Sequence, residues 1–260
     1  MTAGAGPGAG AGAGAGPGAP VPPGLDLSAS LAPYIDHTLL RPEAPAAAME
    51  RLVAEAAEHG FASVCLPPVH VAAAARALAG TAVRTGTVIA FPFGYVHPEI
   101  RIAESRRAIQ DGAQELDTVM NLSWFAGGED QRALDDLAAW VQAARAERAG
   151  LTLKVILETA LHTPYQKVRA ARLAVAAGAD FVKTSTGFYP PQSLAPVDPE
   201  AARAAAVEDV ALLVRTVGPA VGVKASGGIR DAATARALIA AGARRLGTSS
   251  GLAIIGAGRT

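Results

Sequence analysis

The sequence is short of several residue types, and each shortage excludes a class of protein. One cysteine among 260 residues cannot form a disulfide within the chain, and no CxxC pair or His/Cys cluster has the spacing of a zinc site. No run of about 18 apolar residues could span a membrane. No strand-like run is followed by GxGxxG or GxxxxGK(S/T), which excludes the common dinucleotide and P-loop sites.

Charged residues are also scarce, at 18% of the chain, and 23 basic residues balance 23 acidic ones. Proteins that bind nucleic acids or anionic membranes need a basic face, so we expect neither partner. Half of the residues are apolar, which is typical of a folded protein.

The first 24 residues differ from the rest, because nearly all of them are Gly, Ala or Pro. They have little surface to bury, so we expect residues 1–24 to form a disordered tail; a partner-binding tail is the alternative. The segment lacks the basic start and the Leu/Val-rich core of a secretory signal, and we expect a cytoplasmic protein. Residues 25–260 are expected to form one domain.

Residues beyond the tail alternate between short β-rich runs and longer Ala-rich runs with helical spacing. The predicted strands are 34–37, 61–66, 84–91, 114–120, 151–157, 180–184, 220–224 and 243–247. The predicted helices are 45–59, 68–79, 98–111, 129–149, 164–177, 199–217 and 231–241. A glycine follows several helices where a left-handed residue is expected, namely Gly60, Gly112, Gly150, Gly178 and Gly242. Asp231 is the predicted N-cap of the last helix.

The number and character of the strands predict the fold class. Eight strands in 236 residues give about 30 residues per βα unit. Continuously apolar strands indicate a parallel sheet that is covered on both faces. The sequence therefore predicts an α/β protein with a closed (β/α)8 TIM barrel.

Lysine is rare here, with 4 lysines against 19 arginines, and three of the four fall in predicted strands. Lys183 and Lys224 end successive apolar strands, and Lys154 lies in the strand before them. Each could be a strand-end residue that reaches solvent or a buried partner of a carboxylate. Adjacent ammonium groups repel each other, so one amine would tend towards its neutral, nucleophilic form. The pattern indicates a Schiff-base enzyme.

Asp117 lies in an otherwise apolar strand, where a carboxylate is either a structural acceptor or a site residue. Facing buried lysines, it is the candidate for moving protons. Glycine-rich turns follow the seventh and eighth strands, where barrels often bind a phosphate. Arg230, after the first of these turns, could add charge there or cap a surface loop.

With these residues in place, the chain resembles the class I deoxyribose-phosphate aldolases. The similarity runs in family order over roughly residues 34–255, and GADFVKTSTGF together with GVKASGGIR is its most specific part. The matching stretches are IDHTLL (35–40), SVCL (63–66), 88–122, LKVILET (153–159), GADFVKTSTGF (178–188), GVKASGGIR (222–230) and RLGTSSG (245–251).

The resemblance implies a role for each matching position. Lys183 would form the Schiff base, Lys224 would perturb it and help to move protons, and Asp117 would be the acid/base residue. The positions around the substrate and its phosphate would be Thr186, Gly187, Gly227, Gly228, Gly247, Ser249 and Ser250. Asp36, Cys65 and Lys154 would line the pocket in supporting roles.

The implied reaction converts 2-deoxy-D-ribose 5-phosphate reversibly into D-glyceraldehyde 3-phosphate and acetaldehyde. No metal or other cofactor is expected, because the iminium replaces a Lewis acid. The expected partner is this small phosphorylated substrate, and the Ala-rich helices leave room for a homodimer face. There are two alternatives. The first is another class I aldolase or a transaldolase that acts on a different sugar phosphate. The second is a non-catalytic phosphosugar-binding barrel.

The chain departs from the family at three places. Leu66-Pro67-Pro68 stands where an Asn-Pro pair is usual, the loop 187–199 is rich in proline instead of glycine, and the ending GAGRT lacks a tyrosine that some members carry. These differences bear on the range of aldehydes, loop closure and turnover.

Overall fold

Eight parallel strands form a closed barrel in the order β1 to β8, each strand pairing with its neighbours in sequence and β8 returning to β1. The computed structural model describes residues 30–188 and 206–256. The strands are β1 Ile35–Thr38, β2 Ser63–Leu66, β3 Arg84–Ile89, β4 Glu115–Val119, β5 Thr152–Ile156, β6 Phe181–Lys183, β7 Gly222–Ser226 and β8 Arg245–Thr248. The predicted TIM barrel is confirmed.

Helices connect the strands and cover the outside of the barrel. They are α1 Ala46–His59, α2 Val71–Ala77, α3 Pro98–Gln110, α4 Leu122–Ala126, α5 Asp130–Glu147, α6 Pro164–Ala176, α7 Val207–Val217, α8 Ala232–Ala240 and α9 Gly251–Ile255. Within the two described ranges, no helix is both long enough and apolar enough to cross a membrane.

The ends of the helices follow the local rules that the sequence suggests. All five glycines expected to be left-handed have positive φ, from 65° at Gly60 to 106° at Gly112. The Asp231 carboxylate accepts a hydrogen bond from the Thr234 backbone N–H at 2.8 Å, as an N-cap does. Thr163 and Gln166 form a capping box at the start of α6.

One predicted helix start is wrong. The sequence predicts a helix over 199–217, but Ala206 has an extended backbone and α7 begins at Val207. The earlier part of the prediction, 199–205, lies outside the described residues. The short helices α4 and α9 are absent from the prediction, because five residues carry too little periodicity to separate them from a turn.

A buried arginine fixes the carboxyl end of β4, the strand that carries Asp117. Arg101 of α3 donates hydrogen bonds to the carbonyl oxygens of Val119 at 2.7 Å and Gly94 at 2.9 Å, and also to the Thr118 hydroxyl. Its charge is paired with Asp136 of α5 at 3.1 Å. Because the guanidinium is fully buried, loss of the Asp136 carboxylate would leave a buried charge unpaired.

Candidate active site

The strand register brings the two strand-end lysines side by side. Lys183 and Lys224 are directly paired residues of β6 and β7, and Asp117 of β4 is paired with Lys154 of β5. Paired residues of neighbouring parallel strands have side chains on the same face of the sheet. All four side chains are buried in the barrel, as the apolar context of their strands predicts.

Asp117 is the carboxylate on which the lysines converge. Its Oδ2 atom accepts a hydrogen bond from Lys224 Nζ at 2.8 Å and another from Lys183 Nζ at 3.1 Å. Its Oδ1 atom accepts from Lys154 Nζ at 2.8 Å. Burial alone would raise the pKa of Asp117, but its three lysine neighbours, Lys154, Lys224 and Lys183, together hold it well below its usual value. Asp117 is therefore a stable carboxylate.

Lys224 has a second carboxylate partner, because Asp36 Oδ2 of β1 lies 2.5 Å from its Nζ atom. Burial opposes the charge of Lys224, yet Asp117 and Asp36 raise its pKa far above the usual value. Burial likewise opposes the charge of Asp36, while Arg245 and Lys224 lower its pKa below the usual range. Lys224 thus keeps its proton.

Lys183 differs from Lys224 in the property that a nucleophile needs, because the pKa of Lys183 is lowered. Burial is the main cause, the Asp117 carboxylate opposes it, and the neighbouring charge of Lys224 lowers the pKa further. The repulsion expected from the sequence is present, but desolvation is the larger effect. The neutral form of a lysine is the form that attacks a carbonyl carbon.

Further charges complete the barrel interior, and two of them were missed at the sequence level. Arg245 of β8 donates to Asp36 Oδ1 at 2.7 Å and to Glu115 Oε2 at 2.6 Å. Lys154 Nζ also donates to Glu115 Oε2, at 2.6 Å. Burial lowers the pKa of Lys154, but Asp117 and Glu115 raise it above the usual value overall. Arg245 lies within the quoted stretch RLGTSSG, and Glu115 lies two residues before Asp117, on the same face of β4.

A cavity of about 230 Å³ opens above the lysines at the carboxyl end of the barrel. Lys183 reaches into it. All of the predicted substrate and phosphate positions contribute to its wall, together with the loop after β1 and two arginines, Arg41 and Arg230. Those predicted positions are Thr186, Gly187, Gly227, Gly228, Gly247, Ser249 and Ser250.

Three residues expected to line the pocket lie beneath it instead. Asp36, Cys65 and Lys154 are buried and contribute nothing to the described wall of the cavity. Asp36 contacts Lys224, and Lys154 contacts Asp117, the two charged neighbours of Lys183. Burial raises the pKa of the Cys65 thiol. Cys65 is therefore protonated. Separately, the described residues contain no cluster of three His, Cys, Asp or Glu side chains that could hold a metal ion.

The loops after β7 and β8 are tied to each other at the cavity wall. The Thr248 hydroxyl donates to the Ile229 carbonyl oxygen at 2.6 Å and accepts from the Ser250 N–H at 2.9 Å. Gly247 serves the lysines as well as the wall, since a Cβ atom there would lie 3.0 Å from Cε of Lys224. The absence of a side chain leaves space for the lysine.

Glu158, which follows β5, is a site residue that sequence reasoning missed. It has a φ of 55°, unusual for a residue with a side chain. Its buried Oε2 atom accepts from the Thr186 N–H at 3.1 Å and from the Thr186 hydroxyl at 2.5 Å. Burial raises its pKa, although Thr186 and Lys183 act in the opposite direction. Its only sequence signal is the position after a barrel strand.

The fold and the site define a barrel enzyme with a buried lysine of lowered pKa at its cavity, an arrangement that suits the Schiff-base aldolases. A family model described as DeoC/LacD family aldolase matches residues 30–257. The chain belongs to this family of aldolases.

Curated relatives and solved structures agree with this assignment. A deoxyribose-phosphate aldolase of Brevibacillus brevis is 48% identical over 227 residues, which cover 87% of this chain and 96% of the relative. Another from Geobacillus sp. (strain WCH70) is 47% identical over 87% of this chain and 95% of its own length. The solved deoxyribose phosphate aldolase from Aeropyrum pernix superposes with a TM-score of 0.76 at 32% identity, covering 86% of this chain and 89% of that one.

Proposed function

We propose that this protein is a class I deoxyribose-phosphate aldolase, which cleaves 2-deoxy-D-ribose 5-phosphate reversibly to D-glyceraldehyde 3-phosphate and acetaldehyde. The main structural support is the paired register of Lys183 and Lys224 around one carboxylate at the floor of the cavity. Relatives of that name, nearly half identical over almost their whole length, support the substrate.

Lys183 is the residue that forms the imine. Its neutral Nζ attacks the C1 aldehyde of the open-chain sugar, and loss of water leaves an iminium at C1. Of the four lysines, it alone lines the cavity. Its lowered pKa increases the fraction of the amine that is neutral near pH 7.

The iminium then accepts the electrons of the bond that breaks. That bond is C2–C3, because the products are a two-carbon aldehyde and a three-carbon phosphate. The C3 hydroxyl loses its proton and becomes the aldehyde of glyceraldehyde 3-phosphate, while C1 and C2 remain on Lys183 as an enamine. Protonation at C2 and hydrolysis release acetaldehyde and the free amine.

Asp117 and Lys224 are the groups that move protons in these steps. The carboxylate of Asp117 is an acceptor, and Lys224, with its raised pKa, is a donor 2.8 Å from it. Both lie below the cavity floor, so a water molecule would connect them to the C3 hydroxyl. Asp117 is a weak base while Lys154, Lys224 and Lys183 surround it. The nitrogen of Lys183 is positively charged in the iminium, and it becomes neutral when the C2–C3 bond breaks and the enamine forms.

The phosphate is bound by the loops after β6, β7 and β8. Gly227, Gly228, Ser249 and Ser250 provide small side chains and backbone N–H groups at one wall of the cavity, and Arg230 and Arg41 provide positive charge at its rim. Binding energy from this distant group would orient C1 at Lys183.

Assembly and location are further parts of the proposal. We propose a cytoplasmic protein that associates with copies of itself, with a homodimer as the simplest assembly. The relative from Aeropyrum pernix is described as a tetramer, which supports association within the family. Light scattering of the purified chain would measure the mass, and a monomer at micromolar concentration would contradict the proposed assembly.

Reductive trapping tests the function directly. Incubation with acetaldehyde and borohydride should leave one ethyl group on Lys183, located by peptide mass mapping. Lys183→Met should give no adduct, and Lys167→Met should label as the wild type does, since Lys167 is paired with Asp209 on the outer helices. A stable adduct at Lys224 or Lys167 in place of Lys183 would contradict the assignment. Deoxyribose 5-phosphate cleavage, with acetaldehyde as product, separates this enzyme from aldolases of other sugars and from a non-catalytic barrel.

A further inference from the structure

The buried charges of the barrel form a closed ring. Each member contacts one neighbour of opposite charge on either side, at distances between 2.5 and 2.8 Å. Six strands contribute to the site, and five of them supply the ring itself. In order, its members are Asp117, Lys224, Asp36, Arg245, Glu115 and Lys154.

The ring contains three carboxylates and three cations, so its charges cancel. Lys183 stands outside it, with one carboxylate contact, to Asp117 at 3.1 Å, while each ring cation has at least two. A protonated Lys183 would therefore be an excess positive charge in a buried region. Desolvation makes an excess charge costly there, and the proton that is lost most easily is the one on Lys183.

Arg245 is the ring cation that cannot lose its proton. Its guanidinium holds Asp36 through Nε and Glu115 through Nη2, and thereby connects the carboxylate beside Lys224 to the carboxylate beside Lys154. Within the described residues, Arg245 forms no ion pair with Asp117 and does not line the cavity. Arg245 therefore acts on Lys183 without touching it, through these carboxylates and through the attraction between its charge and Asp117.

We propose that Arg245 is a positioning residue of the aldolase reaction: together with Glu115 it closes the ring and balances its charge, so that Lys183 is left as the uncharged amine. The proposal rests on the function proposed above. Arg245 approaches from the amino end of the barrel, opposite to the cavity, and exerts its effect without touching the substrate.

Other titratable groups near Lys183 belong to the same environment and are unchanged in the test. Cys65 on β2 is neutral, Glu158 after β5 is bound to Thr186, and Arg84 of β3 lies 3.1 Å from the second oxygen of Glu115. Arg84 is partly exposed at the amino end of the barrel, where water screens its charge.

Removal of one charge of each sign gives opposite expectations. Arg245→Gln leaves the ring one positive charge short, so Lys183 should hold its proton more strongly. The pH at which trapping by acetaldehyde and borohydride reaches half its maximal rate should rise by about one unit, equal to about a tenfold lower rate below that pH. Glu115→Gln leaves the ring one negative charge short and should lower that pH. The double variant restores the balance and should return it towards the wild-type value.

Arg244→Gln is the matched control. It removes the same charge one residue earlier, from a side chain that donates to the Pro219 carbonyl oxygen outside the barrel, and should leave the pH profile unchanged. Circular dichroism and thermal melting establish that each variant is folded. If Arg245→Gln does not fold, Glu115→Gln and the double variant still test the sign of the shift.

The outcomes separate the two proposals. A wild-type chain that is not ethylated at Lys183 overturns the proposed function, and the role of Arg245 with it. If Lys183 is ethylated but the single variants shift the profile in the same direction, or not at all, the ring proposal alone is overturned. If Arg245 and Glu115 had only a structural role, both single variants would lose activity and stability, but they would not shift the pH of half-maximal trapping in opposite directions.

Discussion

Lys183 and Lys224 are neighbours on adjacent strands, and the number of carboxylates that each contacts separates their chemistry. Lys224 lies between Asp117 and Asp36, whereas Lys183 has only the more distant contact with Asp117. The same burial therefore lowers the pKa of Lys183 and is overcome at Lys224. Their partners therefore make Lys183 the lysine suited to the proposed role of nucleophile and Lys224 the one suited to remain charged.

Replacement of Lys224 by Met should remove this difference. Without the charge of Lys224, burial still lowers the pKa of Lys183 and Asp117 still raises it, so the pKa of Lys183 should be higher than in the wild type. The fraction of neutral amine at pH 7 falls and a proton donor is lost, so we expect kcat/KM to fall about 10²-fold or more and the pH–rate profile to move to higher pH. Steady-state cleavage assays from pH 6 to 10 measure both effects.

Lys167→Met serves as the control for Lys224, because it also removes a lysine paired with a carboxylate, Asp209, but at the outer surface of the barrel. It should leave kcat/KM within twofold of the wild type. An unchanged profile in Lys224→Met would show that the two amines do not interact.

Glu158 should control the substrate wall through Thr186. Glu158→Gln keeps the size of the side chain but replaces a carboxylate acceptor by a neutral one, which weakens hydrogen bonds by about 1 kcal/mol in total. Thr186 belongs to the cavity wall, so its position matters mainly for substrate binding. We therefore expect KM to rise about five- to tenfold with a smaller change in kcat. Glu147→Gln, which breaks a surface pair with Arg106, is the control. A lower kcat at unchanged KM would instead indicate a direct role in the chemistry.

Residue-level reasoning from the sequence succeeded where a residue type was rare in its context. Lysines in apolar strands were conspicuous against 19 arginines, and Asp117 was conspicuous for the same reason. Arg245 was hidden by the abundance of arginine. Glu115, at the first position of β4, looks like a residue that reaches solvent. Only the closure of the barrel, which brings β8 next to β1, shows that both face the interior.

At the scale of elements, the strands bring the charged groups together and the loops form the cavity wall. Strand positions were predicted within three residues, since apolar runs bounded by glycine define them. The start of α7 could not be predicted, because five of the eight residues 199–206 are Ala, which has a high helix propensity. Ala206 is extended in spite of that composition.

The loop after β8 offers a test of phosphate binding. Ser249→Asp would place a negative charge at the cavity wall, where the phosphate is expected, and should lower kcat/KM for deoxyribose 5-phosphate about 10²-fold, equal to about 2.7 kcal/mol. Gly228 is less suited to this test, since its φ of 66° would strain any side chain. Ser249→Ala, which adds no charge, should cost much less.

Unphosphorylated deoxyribose provides the second comparison. Its cleavage should already be slow in the wild type, and Ser249→Asp should reduce it only slightly. Equal losses on both sugars would mean that the loop supports the lysines and does not bind phosphate.

For the whole molecule, the stability of the barrel should not depend on the first 24 residues. Their composition offers almost no side chain to bury, so deletion of residues 2–24 should leave the melting temperature and kcat/KM within experimental error. Scanning calorimetry and cleavage assays on both chains measure this. A decrease of several degrees would show that the segment packs against the barrel.

The separation of strands from loops has a consequence for how such an enzyme can diversify. The amine, its carboxylate and the ring of charges come from strands inside the barrel, whereas most of the cavity wall comes from the segments after β1, β6, β7 and β8. Sequence changes in those segments can alter which acceptor aldehyde is accommodated while the covalent chemistry is inherited intact. Laboratory evolution towards new aldol products can therefore concentrate on the loops and leave the eight strands unchanged.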